Sequence, residues 1–186
     1  MLTYELTSVR SALMSGTSRR PRPTLLRNPL ATIAFMAPLD VETTMHRLVL
    51  PRDANHHGTL YAGVLLSMAL EAGYAAAYRA AGLNANLVLK RVLDLRCHEP
   101  VAIGRVVEIR GREVFRARAQ IVVALHGTPL SAQSPPWLDA LMQFVQVDDR
   151  GRPDALAELE SNEAEALEAP WEYLRDRALK LLAIRN

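Results

Sequence analysis

The segment Leu60–Ala81 constrains this chain more than any other. It holds no proline, is dominated by alanine and leucine, and has Glu71 as its only carboxylate, so a helix of about five turns is expected. Gly82 and Asn84 supply a natural stop. Leu60, Val64, Met68 and Ala75 make one apolar stripe and Leu66, Leu70, Tyr74 and Ala77 another, leaving almost no polar face. Such a helix must be wrapped, and in a water-soluble chain the wrapper is a curved sheet.

The rest of the sequence provides one. Residues 43–50 alternate Met45, Arg47 and Val49 with His46, Leu48 and Leu50 until Pro51 stops the run, the pattern of a first strand. Four further strand-like runs follow the helix: Asn86–Cys97, Arg105–Arg112, Arg116–Leu125 and Ala140–Asp148. Turn signals separate them at Glu99–Gly104, at Gly111–Glu113 and in the proline-rich stretch 127–136, which suits an antiparallel meander. A last helix is expected over Trp171–Ile184, with Pro170 in its first turn.

Composition narrows the function classes. With 186 residues and 49% hydrophobic content, one core is the working expectation. The domain reading is a mobile N-terminal arm over 1–40, a globular domain over 41–153, and an acidic linker with a helix over 154–186, both ends peripheral to the core. A net charge of +2 argues against nucleic acid as a partner. Cys97 is the single cysteine, so no internal disulfide and no cysteine metal site is expected, and the cytoplasm is the default location. The apolar stretch is broken by Ser67, Glu71 and glycines and falls short of the ~20 residues of a membrane span.

The loop before the helix carries the most specific signal. Asn55-His56-His57-Gly58-Thr59-Leu60-Tyr61-Ala62-Gly63 resembles the Asn-His-x-Gly-Thr-apolar-His-(Gly/Ala)-Gly stretch of the phenylacetate-pathway and related acyl-CoA thioesterases of the hotdog superfamily. Arg96–Gly104 is similar to that family's second strand and Met142–Asp148 to its last. The resemblance covers roughly 45–153. It implies an α+β hotdog fold, with about five antiparallel strands wrapped around the central helix, and a homodimer or homotetramer in which each protomer contributes half a cleft. It also implies hydrolysis of an acyl-CoA thioester, with no cofactor beyond the coenzyme A of the substrate.

Thioester hydrolysis needs N–H donors facing one oxygen and an acid/base group close by. Gly58 and Gly63 bracket the expected helix start, where N–H groups lack intrahelical acceptors and a missing Cβ admits a ligand. The backbone of Gly63 is the expected oxyanion donor, with Gly58, Thr59 and Ser67 as substrate contacts. Glu71 follows Met68 by three residues on an apolar stripe, so it is expected as a buried carboxylate serving as base or nucleophile. Asn55 and His57 would hold water or carbonyl, with His56 beside them; the alternative is an Asx turn that only shapes the loop. Lys90 and Arg91 are candidates for the phosphates of coenzyme A, as are Arg105, Arg110 and Arg112. No metal site is expected.

One departure from the family pattern bears on mechanism. The acid of the related enzymes stands seven positions after the second glycine, and here that position is Leu70. Glu71 comes one residue later, a rotation of about 100° on a helix. Two alternatives to hydrolysis follow: a non-catalytic acyl-CoA or acyl-lipid binding module, and a hotdog enoyl-CoA hydratase, whose Asp-x-Asn-Pro-x-His pattern Asp53–His57 echoes without the proline.

Overall fold

A computed structural model describes residues 42–82, 84–130, 135–156 and 167–184. The N-terminal arm, the middle of the proline-rich loop and most of the acidic linker lie outside these residues. The chain runs β1 (Glu42–Leu48), a 3-10 turn (Pro51–Asp53), α1 (Ala62–Ala81), β2 (Leu87–Cys97), β3 (Val106–Ala117), β4 (Gln120–Pro129), β5 (Leu138–Gln146) and α2 (Trp171–Ala183). The strands form one antiparallel sheet in the order β1-β3-β4-β5-β2. This is the α+β architecture expected from the sequence: a five-stranded sheet and a central helix, with a further helix near the C-terminus.

The packing explains the runs. Ile121, Val123 and Leu125 of β4 and Ala140, Met142 and Phe144 of β5 share a core with Met68, Ala69, Ala72 and Ala76 of α1. The intervening Val122, Ala124 and Leu141 turn to the other face and pack with Trp171, Leu174 and Ala178 of α2. With both faces covered, β4 reads as an unbroken apolar run and not as an alternation. The C-terminal helix is therefore not peripheral: it completes a second core on the back of the sheet. Trp171 also donates from Nε1 to Glu42 Oε2 at 3.0 Å, and Arg177 pairs with Asp94 of β2. Burial of Leu174 alone is worth about 1.5–3 kcal/mol.

Alanines set how closely α1 lies on the sheet, and Gly111 takes part. The expected turn at Gly111–Glu113 does not form. β3 continues to Ala117, and the chain reverses at Arg118-Ala119, where Ala117 pairs with Gln120. A Cβ on Gly111 would lie 2.9 Å from the Ala76 Cβ, so this glycine marks close approach of helix to strand and not a turn. Gly82 does act as expected: at φ 101° it ends α1, donating its N–H to Tyr78 O at 3.1 Å.

Candidate functional site

The connection from β1 to α1 is built by backbone hydrogen bonds. Asp53 Oδ2 accepts the Leu50 N–H at 3.2 Å, and the Asp53 carbonyl accepts the Tyr61 N–H at 2.8 Å. Between them Asn55 closes a tight loop. Its N–H donates to Thr59 O at 2.8 Å, its carbonyl accepts Gly58 N–H at 3.0 Å, and its Oδ1 accepts the N–H groups of His57 at 2.9 Å and Thr59 at 3.3 Å. Gly58 takes φ 72°, a left-handed conformation that favours glycine. Leu60 N–H to Val101 O at 2.8 Å and Ile103 N–H to Gly58 O at 3.2 Å tie the loop to the β2–β3 connection.

This loop presents the first turn of α1 to a cleft of about 280 Å³. One wall is Gly63, Ser67 and Glu71, successive i, i+4 positions of the helix. Val64 and Met68 are its apolar part, and Arg47, Asp53 and Tyr61 complete it. Gly63 lies in the first helical turn, so its N–H has no intrahelical acceptor. A Cβ there would meet Tyr61 Cε1 at 2.5 Å, so the missing side chain makes room for the tyrosine ring. Ser67 Oγ donates to Glu71 Oε1 at 3.1 Å.

The structure thus brings Gly63, Ser67 and Glu71 together, and separates them from the other expected residues. Glu71 is exposed in the single chain, contrary to its expected burial. The reason is helical phase. Its i−4 neighbour Ser67 is exposed as well, whereas Met68, at i−3, turns into the core. Leu70 packs against that core, so position 70 faces inward and position 71 faces the cleft.

Asn55 does not line this cleft. Its side chain is spent on His57 and Thr59, the loop-shaping alternative. His56 and His57 are exposed, their rings 3.8 Å apart, and neither borders the cleft. Gly58 serves the turn. Thr59 borders a separate pocket with Cys97 and His98. Lys90 is exposed on the edge strand β2, and Arg91 donates to Gln143 Oε1 at 2.6 Å. Arg110 is engaged by Glu42 at 3.2 Å and Glu108 at 3.5 Å. Arg105 borders a larger cleft of about 530 Å³ with Val107, Pro129 and Trp137. Among the described residues no cluster of His, Cys, Asp and Glu has the geometry to hold a metal ion, and no helix is long and apolar enough to cross a membrane.

Arg47, Asp53 and Tyr61 are the cleft residues that sequence reasoning missed. A signal for the first existed, because Arg47 stands in the row Met45, Arg47, Val49 whose other members face the core.

No known protein family and no curated protein matches the sequence. Solved structures do resemble the fold. The acyl-CoA hydrolase of Staphylococcus aureus, determined with butyryl coenzyme A, coenzyme A and coenzyme A disulfide, is 19% identical, covers 78% of this chain and 86% of its own, and superposes with a TM-score of 0.67. A hexameric thioesterase of Yersinia pestis is 27% identical over 62% of this chain and 94% of its own, with a TM-score of 0.57. A hexameric hotdog-fold thioesterase of Campylobacter jejuni is 24% identical over 61% of this chain and 88% of its own, with a TM-score of 0.52. With the strand order and the helix packed on the sheet by one face described above, these likenesses make the chain a hotdog-fold protein, built like acyl-CoA hydrolases and thioesterases.

Proposed function

We propose that the chain hydrolyses an acyl-CoA thioester to the free acid and coenzyme A. The observation that carries this reading is the single cleft in which Gly63, at the N-terminus of α1, and Glu71, two turns further on, share a wall. The thioester oxygen would sit against the first-turn N–H groups, where the helix dipole favours developing negative charge. Glu71, oriented by Ser67 and eight residues, or about 12 Å along the helix axis, from Gly63, would activate the water that attacks the carbonyl carbon, and the thiolate of coenzyme A would leave. Asn55 contributes by holding the loop that aims α1. The chemistry needs no cofactor beyond the coenzyme A of the substrate, and a chain with one cysteine suits the reducing cytoplasm.

The working unit is an even-numbered homo-oligomer, a homodimer or homotetramer at its simplest. The hexameric state in the names of two of the neighbours supports self-association. Edge strand β2 carries Val88, Leu89 and Val92, exposed at 45%, 42% and 39%, and α1 leaves Leu66 and Tyr74 uncovered. An apolar sheet edge of this kind calls for a partner, and a second copy over α1 would close the cleft beside Glu71 to bulk water.

A second reading, an acyl-CoA or acyl-lipid binding module without turnover, is favoured by Leu70, which packs in the core where the related enzymes place their acid. The hydratase reading has less support, since no histidine among the described residues borders the cleft. Thiol release across a panel of acyl-CoA esters separates the readings. Hydrolysis above background supports the proposal; tight binding of the esters with no release on any of them would replace it by the binding module.

A further inference from the structure

We infer that Arg47 and Asp53 select acyl groups that carry an uncharged oxygen substituent, a hydroxyl or a keto group; this rests on the acyl-CoA reading of the same cleft. Met45 pairs with Ile109 and Arg47 with Val107, and both partners are buried in the core beneath α1. The inward row of β1 carries Thr43 and Met45 before Arg47, where a guanidinium stands at the cleft with its side chain 35% exposed. Opposite lies the Asp53 carboxyl, only 7% exposed, at 3.8 Å.

That separation is an ion-pair distance but too long for a hydrogen bond. Asp53 Oδ2 takes the Leu50 N–H, and Oδ1 is the oxygen that faces Arg47. The Arg47 guanidinium makes no hydrogen bond to any described residue, its nearest acceptor being Asp53 Oδ1 at 3.8 Å. The pair thus offers donors and an acceptor side by side on the wall of the cleft. An alkyl chain laid against them would strip their water and return nothing, which is the costly case for buried polar groups. A hydroxyl would donate to Asp53 Oδ1 and accept from Arg47, and a keto oxygen would accept from Arg47. A carboxylate-bearing acyl group fits less well, because Asp53 and Glu71 both line the cleft with Arg47, while the second guanidinium near Asp53 Oδ1, that of Arg52 at 4.0 Å, is 78% exposed and does not line it.

The test uses the full chain and non-hydrolysable thioether analogues of butyryl-, 3-hydroxybutyryl-, 4-hydroxybutyryl-, acetoacetyl- and succinyl-CoA, with affinities measured by calorimetry. The expected result is binding of at least one hydroxy or keto analogue at least ~10-fold tighter than the butyryl analogue. Arg47→Gln should reduce that preference to about twofold, and Arg47→Lys should keep part of it. Thermal melts establish that each variant is folded. Equal affinity for butyryl and oxygenated analogues, a preference for succinyl, a preference untouched by Arg47→Gln, or no binding of any analogue would overturn the inference. Because the analogues cannot be cleaved, the outcome is independent of whether the corresponding esters are hydrolysed.

Discussion

Replacing Gly111 by alanine tests how closely the central helix is held to the sheet. A Cβ at this position would stand 2.9 Å from both Ala76 Cβ and Leu125 Cδ2, and 3.0 Å from Thr43 Oγ1. Carbon atoms pack at about 3.5–4.0 Å, so roughly half an ångström or more must be found. The Thr43 hydroxyl and the Leu125 terminus can rotate away, although the former would forfeit its 3.1 Å hydrogen bond to Gly111 O. Ala76 Cβ is fixed to the helix backbone and can move only with α1. Overpacking of this kind costs about 1–3 kcal/mol. Because Gly111 is not a positive-φ glycine, alanine also gains about 0.4–1 kcal/mol through the unfolded chain. The net loss is then about 0–2.6 kcal/mol with a midpoint near ~1.3 kcal/mol, which for a domain of this size is a fall in Tm of roughly 3–5 °C. Circular dichroism melts at one protein concentration measure it. In an Ala76→Gly background the same substitution should cost at least ~0.5 kcal/mol less, because the rigid neighbour is gone. A Gly111→Ala protein that melts at or above the parent, or a cost identical in both backgrounds, would refute the packing argument.

Three further outcomes follow from other parts of the molecule. Burial raises the affinity of Asp139 for a proton, but hydrogen bonds from His126 at 2.9 Å and His98 at 3.0 Å outweigh it and hold the carboxyl below its ordinary value of 3.8. Its contribution to stability is therefore full above the ordinary value and lost as pH falls through the lower, folded one. Asp139→Asn should cost about 1–3 kcal/mol near neutrality and converge with the parent in acid; urea midpoints that differ equally at every pH would contradict this. Trp171→Ala should cost about 3–5 kcal/mol by calorimetric melting, since α2 anchors the second core through that ring; an unchanged melt would mean α2 does not dock. Lysine at both Val88 and Val92 should convert the assembly to monomers in size-exclusion chromatography with light scattering, and an unchanged mass would move the interface away from β2.

The fold was legible because its constraints are periodic. A helix apolar nearly all round and a set of alternating or continuous strand runs leave few architectures, and α1 and β2 fall within two residues of their expected bounds. What periodicity could not resolve was the purpose of single residues. Gly111 looks like a turn residue, yet its lack of a side chain answers to Ala76 on a helix far away in sequence. Glu71 has both an inward neighbour, Met68, and an outward one, Ser67, and only the docked phase of α1 decides between them. For Asn55 the sequence left two roles open, a site contact or an Asx turn, and the structure shows its side chain spent inside the loop, while the Gly58 carbonyl ties that loop to Ile103. Asp53 and Tyr61 enter the cleft through tertiary folding of the β1–α1 connection, which leaves no local pattern. The C-terminal helix was foreseen in position but not in its burial against β3, β4 and β5.

The central claim is that the cleft formed by Gly63 and Glu71 hydrolyses thioesters. The direct measurement is the rate at which coenzyme A is released from short acyl-CoA esters by the parent chain and by Glu71→Gln, a substitution that preserves shape and removes the base. The account predicts release well above background by the parent, with kcat/KM lower by about 10²-fold or more in the variant and binding of coenzyme A retained. Equal rates in the two proteins, or no release by the parent on any ester, would contradict it.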